Sequence, residues 1–405
     1  MAKQGDNMTD VKRANRSAVL RVLHENGAVS RKKLAAYIGL TPAAITKITG
    51  EMIEEGLLRE GEAVFSGGAG RREILLKTDP FSRFALGIFI NKGLAVLSAV
   101  NLDGTVIFSE NTVLPPNAPA NETITTLCNL LLDLSDQNGI PRDKIIGTGL
   151  ALRGQVSDNG RILKNSFGAL NEYNYPIADE VEKLTGLKVI SDNNVRSLFS
   201  AHLFFSKDKE ISSQFFLRCE YGIGAALSVD FRIWHGGSAQ CSEIGHIPII
   251  RKGGKPCSCG KSGCLETVAS PNAILEDAKA AFSEDNTPLL YKRMIGRSID
   301  EMRLQDVLDS AAGGDSTTAS IVGRAVTALA QALKSVIYII DPEKIVLYGH
   351  LFENAYFLDH FIAEMREGVD SGHDVSVEKS RCNLKLEDAA AGLLVIQKFI
   401  DEGGL

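Results

Sequence analysis

The sequence predicts an α/β protein: an N-terminal winged helix-turn-helix domain over residues 1–78, then a body of two α/β lobes. Three observations predict it. Two short helical patterns meet across a Gly-Leu-Thr turn, and a hairpin pattern around SGGAG follows them. From residue 84 the periodicity changes to strands alternating with amphipathic helices. The charge divides along the same line: residues 1–78 hold 13 Lys+Arg against 9 Asp+Glu, and the rest of the chain holds 31 against 41. A basic head on an acidic body suggests a polyanion-binding module joined to something else, although the surplus alone is a weak signal.

In the head, residues 10–26 read as a helix capped by Thr9 or Asp10 and stopped by Gly27, with Ala14, Ala18, Val19, Val22 and Leu23 as its apolar stripe. SRKKLAAYIG is a second helix. Ser30 caps it, Leu34, Ala35 and Ile38 face inward, and Gly39 suits the positive φ past its end. The third begins at the cap Thr41 with Pro42 in the first turn, buries Ile45, Ile48 and Met52, and ends at Gly56. Its outer face offers Ala43, Ala44, Thr46 and Lys47. Small residues let a helix sink into the major groove, and Lys47 can meet a phosphate or a guanine edge. Arg31 and Lys32, with Lys33, open the second helix where it would approach a DNA backbone. REGEAVF and RREILLK form a wing, and Arg71 and Arg72 suit an arm laid along phosphates or into a narrow minor groove. The expected partner is double-stranded DNA. A winged helix used only for protein contacts is the alternative.

The body opens with three strands, FALGIFI, LAVLSAVNL and TVIFSENTVL, then a helix in ETITTLCNLLLDLSDQNG and a buried strand, IIGTGLAL. A helix in IADEVEKLTG, a strand in LKVISD and a helix in VRSLFSAHLFF follow. A comparable set begins at QFFLRCEYGIGAALSV and includes the long helix ASIVGRAVTALAQALKSVIYII and the strand of DPEKIVLYGH. The expected lobes are 79–195, completed by a C-terminal helix near 388–405, and 196–387. Two lobes around a cleft are a common setting for a ligand.

The 405 residues are 44% hydrophobic and 23% charged, an ordinary globular composition. No apolar run approaches the ~18 residues of a membrane span. The stretch MAKQGDNMTDVKRANRS has no apolar signal core, so a cytoplasmic protein without membrane insertion is expected. Thiols are reduced there, and clustered cysteines favour metal over disulfide. Cys128, Cys219, Cys241 and Cys382 are scattered and read as buried small hydrophobes.

CSCGKSGCLE, residues 257–266, holds the other three cysteines, and EIGH, residues 243–246, precedes it. In motif, order and separation these resemble the Glu-x-Gly-His and Cys-x-Cys-Gly-x-x-Gly-Cys-x-Glu signatures of the ROK family of bacterial sugar kinases and sugar-responsive repressors. The resemblance extends over roughly residues 10–400, and a winged helix ahead of the body is the arrangement of the repressor branch. It implies a two-lobed actin-like, ribonuclease H-like sugar-kinase fold and a structural Cys₃His zinc site. The residues agree with that site: Cys257, Cys259 and Cys264 offer three thiolates, and His246 is the natural fourth ligand. Four protein ligands leave no position for a reactive water, so Zn²⁺ would be structural. Thiols without metal and a catalytic zinc are the alternatives.

By resemblance, Glu243, His246 and Glu266 are sugar-contacting positions, and Asn171 matches an upstream sugar-binding asparagine, with Tyr175 where tryptophan is common. The kinase pattern is broken at three places. Phe89-Ile90-Asn91-Lys92-Gly93 replaces an Asp-x-Gly-Gly-Thr phosphate loop, Glu220-Tyr221-Gly222-Ile223-Gly224 replaces Gly-Thr-Gly-x-Gly, and Asn194 occupies the catalytic-base position. A neutral amide cannot act as that base. Asn193 and Asn194 can still hydrogen-bond a sugar, and Asp192 is the base if the register shifts by two. The expectation is a non-enzymatic, sugar-responsive repressor, a homodimer or homotetramer, binding a sugar or sugar phosphate between its lobes. The rivals are an ATP-dependent sugar kinase with a DNA-binding head and a repressor whose effector is a sugar-transport protein.

Overall fold

The computed structural model describes residues 8–64, 72–116, 118–206, 208, 210–238, 240–369, 375–380 and 385–405. The chain divides into two units, 1–201 with 384–405, and 202–383. The first begins with helices α1 (Met8–Asn26), α2 (Arg31–Ile38) and α3 (Pro42–Glu54), with the short strand β1 (Val29–Ser30) ahead of α2. A hairpin, β2 (Leu58–Val64) and β3 (Glu73–Thr78), completes a three-stranded sheet of order β1-β3-β2. Ser30 Oγ accepts from the Lys33 N–H and Thr41 Oγ1 from the Ala44 N–H, so two orphan helix donors are satisfied locally. Gly39 follows α2 at φ 76°, the left-handed geometry that glycine adopts without strain. Arg71, and the SGGAG turn with it, lies outside the described residues, as does Cys382.

Two faces differ from expectation. Thr9 and Asp10 lie within the first turn of α1 rather than capping it, and the helix buries Arg16, Ser17, Val19, Leu20 and Leu23. Ala14 is exposed, and Ala18 and Val22 are half-covered. A guanidinium displaces alanines from the core because it finds a carboxylate and two backbone carbonyls there. In α3 the buried stripe is Ile45, Thr49 and Met52, with Ile48 half-buried. The Thr49 hydroxyl tolerates burial by donating to the Ile45 carbonyl oxygen at 2.8 Å.

Beyond the head, β4 (Phe84–Asn91), β5 (Leu94–Asn101) and β6 (Val106–Val113) form a meander. Then come α4 (Ala120–Gln137) and β7 (Ile145–Leu152). Short strands β8 (Gln155–Val156), β9 (Leu163–Asn165) and β10 (Tyr173–Tyr175) make a small separate sheet. Helix α5 (Ile177–Thr185), strand β11 (Val189–Asn193) and helix α6 (Asn194–Phe205) follow. The main sheet has order β11-β7-β4-β5-β6, with β11, β7 and β4 parallel and the meander antiparallel. Leu86, Ile88 and Ile90 join one core with Ile124, Leu127 and Leu131 of α4 and Val181 of α5.

The second unit carries a sheet of the same design. Strands β12 (Gln214–Cys219), β13 (Ile223–Val229) and β14 (Arg232–Ile233) are antiparallel. Helices α7 (Glu266–Ala269), α8 (Pro271–Ala281), α9 (Pro288–Met294), α10 (Leu304–Ala312) and α11 (Ser316–Ile340) lead to β15 (Lys344–Tyr348). Helix α12 (Ala355–Arg366) and β16 (Ser376–Lys379) close the set, giving order β14-β13-β12-β15-β16 with β12, β15 and β16 parallel. Contrary to the sequence expectation, α11 is long and apolar enough to cross a membrane by length and composition. Its Ile321, Val322, Ala325, Leu329, Leu333 and Ile337 are buried in the core of this unit.

The chain then returns to the first unit as α13 (Leu386–Asp401), which packs on β4, β5 and β7. Glycines set that spacing. A Cβ at Gly149 would lie 1.7 Å from the Ala391 carbonyl oxygen, and one at Gly87 would lie 2.8 Å from the Gly392 nitrogen.

Candidate functional site

The segment between Ile247 and Glu266 folds back on itself through two bridges, Pro248 with Cys264 and Pro256 with Ser262. The Cys257 N–H donates to the Lys261 carbonyl oxygen at 2.8 Å, and the Gly260 N–H donates to Cys257 at 3.0 Å. A Cβ at Gly263 (φ 75°) would lie 2.0 Å from the Ile250 carbonyl oxygen, and one at Gly254 would lie 2.4 Å from Gly263 Cα. Only glycines allow this approach. His246 arrives from a 3-10 turn, residues 244–246, seated so closely on the start of β13 that a Cβ at Gly245 would lie 2.1 Å from the Ile223 oxygen.

These turns bring one ligand atom each from His246, Cys257, Cys259 and Cys264 within 4.8 Å of one another. His246 Nδ1 is 3.4 Å from Cys257 Sγ, and Cys259 Sγ is 3.7 Å from Cys264 Sγ. A tetrahedron with Zn–S about 2.3 Å and Zn–N about 2.0 Å has edges of about 3.8 and 3.5 Å. Donor set and spacing therefore fit a metal ion held by all four. Burial pushes the Cys264 thiol up to about 12, with the neighbouring thiols adding to it, and burial raises Cys257 as well. Burial also raises Cys259, but hydrogen bonds from the Lys261 N–H and the adjacent thiols outweigh it and bring that group down. Three adjacent thiolates need a cation to offset their repulsion and desolvation.

Two carboxylates border the cluster. His246 Nε2 faces Glu243 Oε2 at 3.9 Å, too far for a direct hydrogen bond. Glu266, the first residue of α7, has Oε1 at 3.5 Å from Ser258 Oγ and 3.8 Å from Cys257 Sγ. Its other oxygen crosses Gly222, where a Cβ would lie 2.2 Å from it. Glu243, His246 and Glu266 are thus gathered around one knuckle within the second unit.

The predicted asparagines belong to the first unit. Asn171 is exposed ahead of β10. Asn193 ends β11 and caps α6: its Oδ1 accepts from the Val195 N–H at 2.8 Å, and its Nδ2 donates to the Gly154 oxygen at 2.8 Å. Asn194 is the buried first residue of α6. Asp192 accepts from Arg196 Nε at 2.7 Å, and the Arg196 side chain is 4% exposed.

On the head, Lys32, Ala43, Thr46, Lys47 and Arg72 are exposed and Ala44 is half-buried. Thr41, also exposed, is the α3 cap, and the Thr46 hydroxyl donates to the Pro42 oxygen. Arg31 is turned inward: Nε donates to Thr49 Oγ1 at 3.2 Å and a terminal nitrogen to Glu60 at 2.9 Å. It braces α2 against α3 and the hairpin, which its place in a basic triplet did not signal.

The profile of the ROK family matches residues 90–394. The chain belongs to the ROK family. It is 28% identical to the N-acetylglucosamine repressor of Escherichia coli O6:H1 over 350 residues, covering 86% of this chain and 83% of that protein. It is 25% identical to the xylose repressor of Caldicellulosiruptor bescii over 409 residues, 98% of each chain. A crystal structure of a ROK family transcriptional regulator, a homolog of the E. coli Mlc protein, aligns with TM-score 0.78 and 25% identity over 97% of each chain. The two mixed sheets are the actin-like sugar-kinase fold of this family.

Asn91 pairs with Leu94, so the β4–β5 turn holds only Lys92 and Gly93, and Asn91 Oδ1 accepts from the Lys92 N–H at 3.1 Å. After β12, the Glu220 carboxylate accepts from the His350 N–H at 3.1 Å and meets His350 Nδ1 at 2.5 Å. An acidic side chain thus occupies the start of the short helix His350–Glu353. Sequence reasoning missed the His350 partner, which lies 130 residues away.

Proposed function

We propose that this protein is a sugar-responsive transcriptional repressor acting in the cytoplasm, with residues 1–78 as a winged helix-turn-helix head for a double-stranded operator. The observation that carries the reading is the head. Helices α2 and α3 meet across Gly39-Leu40-Thr41, the β2–β3 hairpin follows, and the outer surface of α3 presents small residues and Lys47. Lys32, Arg71 and Arg72 contact phosphates or the minor groove, and Arg31 holds the second helix in place. The protein works as a homodimer or homotetramer whose two-fold symmetry matches a palindromic site.

Zn²⁺ is held by His246, Cys257, Cys259 and Cys264 as a structural ion. It neutralises the thiolates and fixes the loop that carries Glu243, His246 and Glu266. Those carboxylates and that imidazole recognise the hydroxyls of a sugar or sugar phosphate. Operator affinity changes because the ligand prefers one of two arrangements of the protein. The names of the relatives support DNA binding and sugar response. The chain is not a sugar kinase in this reading. Asp192, a carboxylate beside the base position, is held in an ion pair with Arg196, and Glu220 opposes phosphate at the second loop.

A thermal-shift screen against monosaccharides and their phosphates, paired with selection of bound duplexes from a random-sequence pool, tests the reading. It expects one sugar class to raise the melting temperature and to change affinity for the selected duplex. Sugar-dependent ADP release from ATP and Mg²⁺, lost in Asp192→Ala, would overturn it in favour of a kinase.

A further inference from the structure

We propose that Arg16 is a positioning residue for operator recognition: it fastens the end of α3 to Gly403 and Gly404, so that α13 sets the placement of the reading helix. The inference rests on the reading of α3 as the helix that enters DNA. Among the described residues, Arg16 hydrogen-bonds to Glu55, Gly403 and Gly404, none of which is a predicted DNA contact.

Arg16 lies in the middle of α1, and its side chain is fully buried, at 0% exposure. Two of its nitrogens meet the Glu55 carboxylate, at 2.8 and 2.5 Å. Glu55 is the residue that closes α3. From the same guanidinium, Nε donates to the Gly403 carbonyl oxygen at 2.7 Å, and a terminal nitrogen approaches the Gly404 oxygen at 3.5 Å. One side chain therefore joins the end of α3 to the residues that leave α13.

The acceptor side is shaped for this. Gly403 and Gly404 are both at φ 74°, the left-handed region that side chains rarely adopt. A Cβ at Gly403 would lie 2.6 Å from the Arg13 oxygen, and one at Gly404 would lie 2.9 Å from Leu57 Cδ1. A second tie, Arg21 to Asp401 at 2.6 Å, lies on the exposed rim. At its other end α13 is seated on the main sheet by the glycine contacts at 87, 149 and 392. Were Arg16 only a core residue of the head, Glu55 would satisfy the charge without carbonyls 387 residues away. A buried guanidinium stripped of part of its acceptor set is strongly unfavourable, so the link is held whole or lost. The placement of α3 is thereby tied to the same sheet that ends in Asp192 and Asn193.

The test uses the full chain and a labelled duplex selected by the wild-type protein from a random-sequence pool. Arg16→Met removes the link from the head side, and Gly403→Ala disrupts it from the α13 side with Arg16 intact, because its Cβ would press on the Arg13 carbonyl oxygen. Both are expected to weaken binding of that duplex at least ten-fold relative to random DNA and to speed amide exchange in α3, with exchange in β4 and β7 unchanged. Because Arg16 makes no phosphate contact, the slope of log affinity against log salt stays at the wild-type value. In Lys47→Ala it falls by about one. Arg16→Met with wild-type duplex affinity and unchanged α3 exchange overturns the proposal, as does a fall in its salt slope. If Lys47→Ala and Arg72→Ala both bind like wild type, the DNA reading of α3 fails instead, and α3 exchange in Arg16→Met still decides the link.

Discussion

Acidification should destabilise the second unit through a single imidazole. His202 sits in the last turn of α6 at 5% exposure. Its Nδ1 is 3.0 Å from Ser380 Oγ, and its ring packs against Phe216 at 5.9 Å. Burial, with Lys344 adding to it and Asp208 opposing it, lowers the group from 6.5 to about 4. The folded unit therefore favours the neutral ring, whereas the unfolded chain takes up a proton near pH 6.5. The stabilisation is complete above pH 6.5 and is lost as pH falls towards 4. At about 1.4 kcal/mol per unit, the full loss is about 3 kcal/mol. Urea unfolding, followed at pH 7.5, 6, 5 and 4 for wild type and His202→Asn, isolates the effect. Thiolate protonation at the knuckle is common to both and cancels in the difference. His202→Asn should show a pH dependence shallower by about 3 kcal/mol over this range. An NMR titration placing His202 between 6 and 7, or identical slopes for the two proteins, would refute the reasoning.

Purified wild type should contain one zinc ion per chain by elemental analysis, and Cys257→Ser with Cys259→Ser should contain none and show increased exchange across residues 246–266. Glu266→Ala should keep its zinc but lose any sugar-induced thermal shift, because the carboxylate lies beside the metal ligands without belonging to them. Gly149→Ala should cost about 3 kcal/mol or more, since its Cβ would fall 1.7 Å from the Ala391 oxygen and α13 must move off the sheet. Thermal melts read as circular dichroism check this, and a change below about 1 kcal/mol would contradict the packing.

The strands of the first main sheet, and β12, β13 and β15 of the second, were legible because their signals are local, whereas the short edge strands β14 and β16 were not anticipated. The continuous apolar run of β4, buried along its whole length, and the Ser30 and Thr41 caps are each signals carried within a few residues. The clustering of the four knuckle side chains was legible for a related reason: three lie within eight residues, and glycine spacing reveals the tight turn. What remained hidden depends on partners remote in sequence. Arg16 falls on the Val19–Leu20–Leu23 face, and a charge at a core position was the available signal for it. Nothing in Glu220 or Arg31 discloses His350 or Glu60. Asn193 looked like a hydrogen-bonding group for ligand, but the structure uses its amide to cap α6 and hold Gly154. The same chemistry serves both roles, and sequence does not distinguish them.

The bond between Arg16 and Gly403 also has a consequence for biosynthesis. The two residues are separated by 387 positions, and α13 must first dock on β4, β5 and β7 to present the acceptor. A ribosome adding about 5–20 residues per second takes roughly 20–80 s to cover that span. During this interval the helices of the head can form, but the guanidinium has no carbonyl from residue 403 to meet. The head of a nascent chain therefore differs from that of a finished one. The tie that holds the end of α3 in place is made only after α13 has been synthesised and docked.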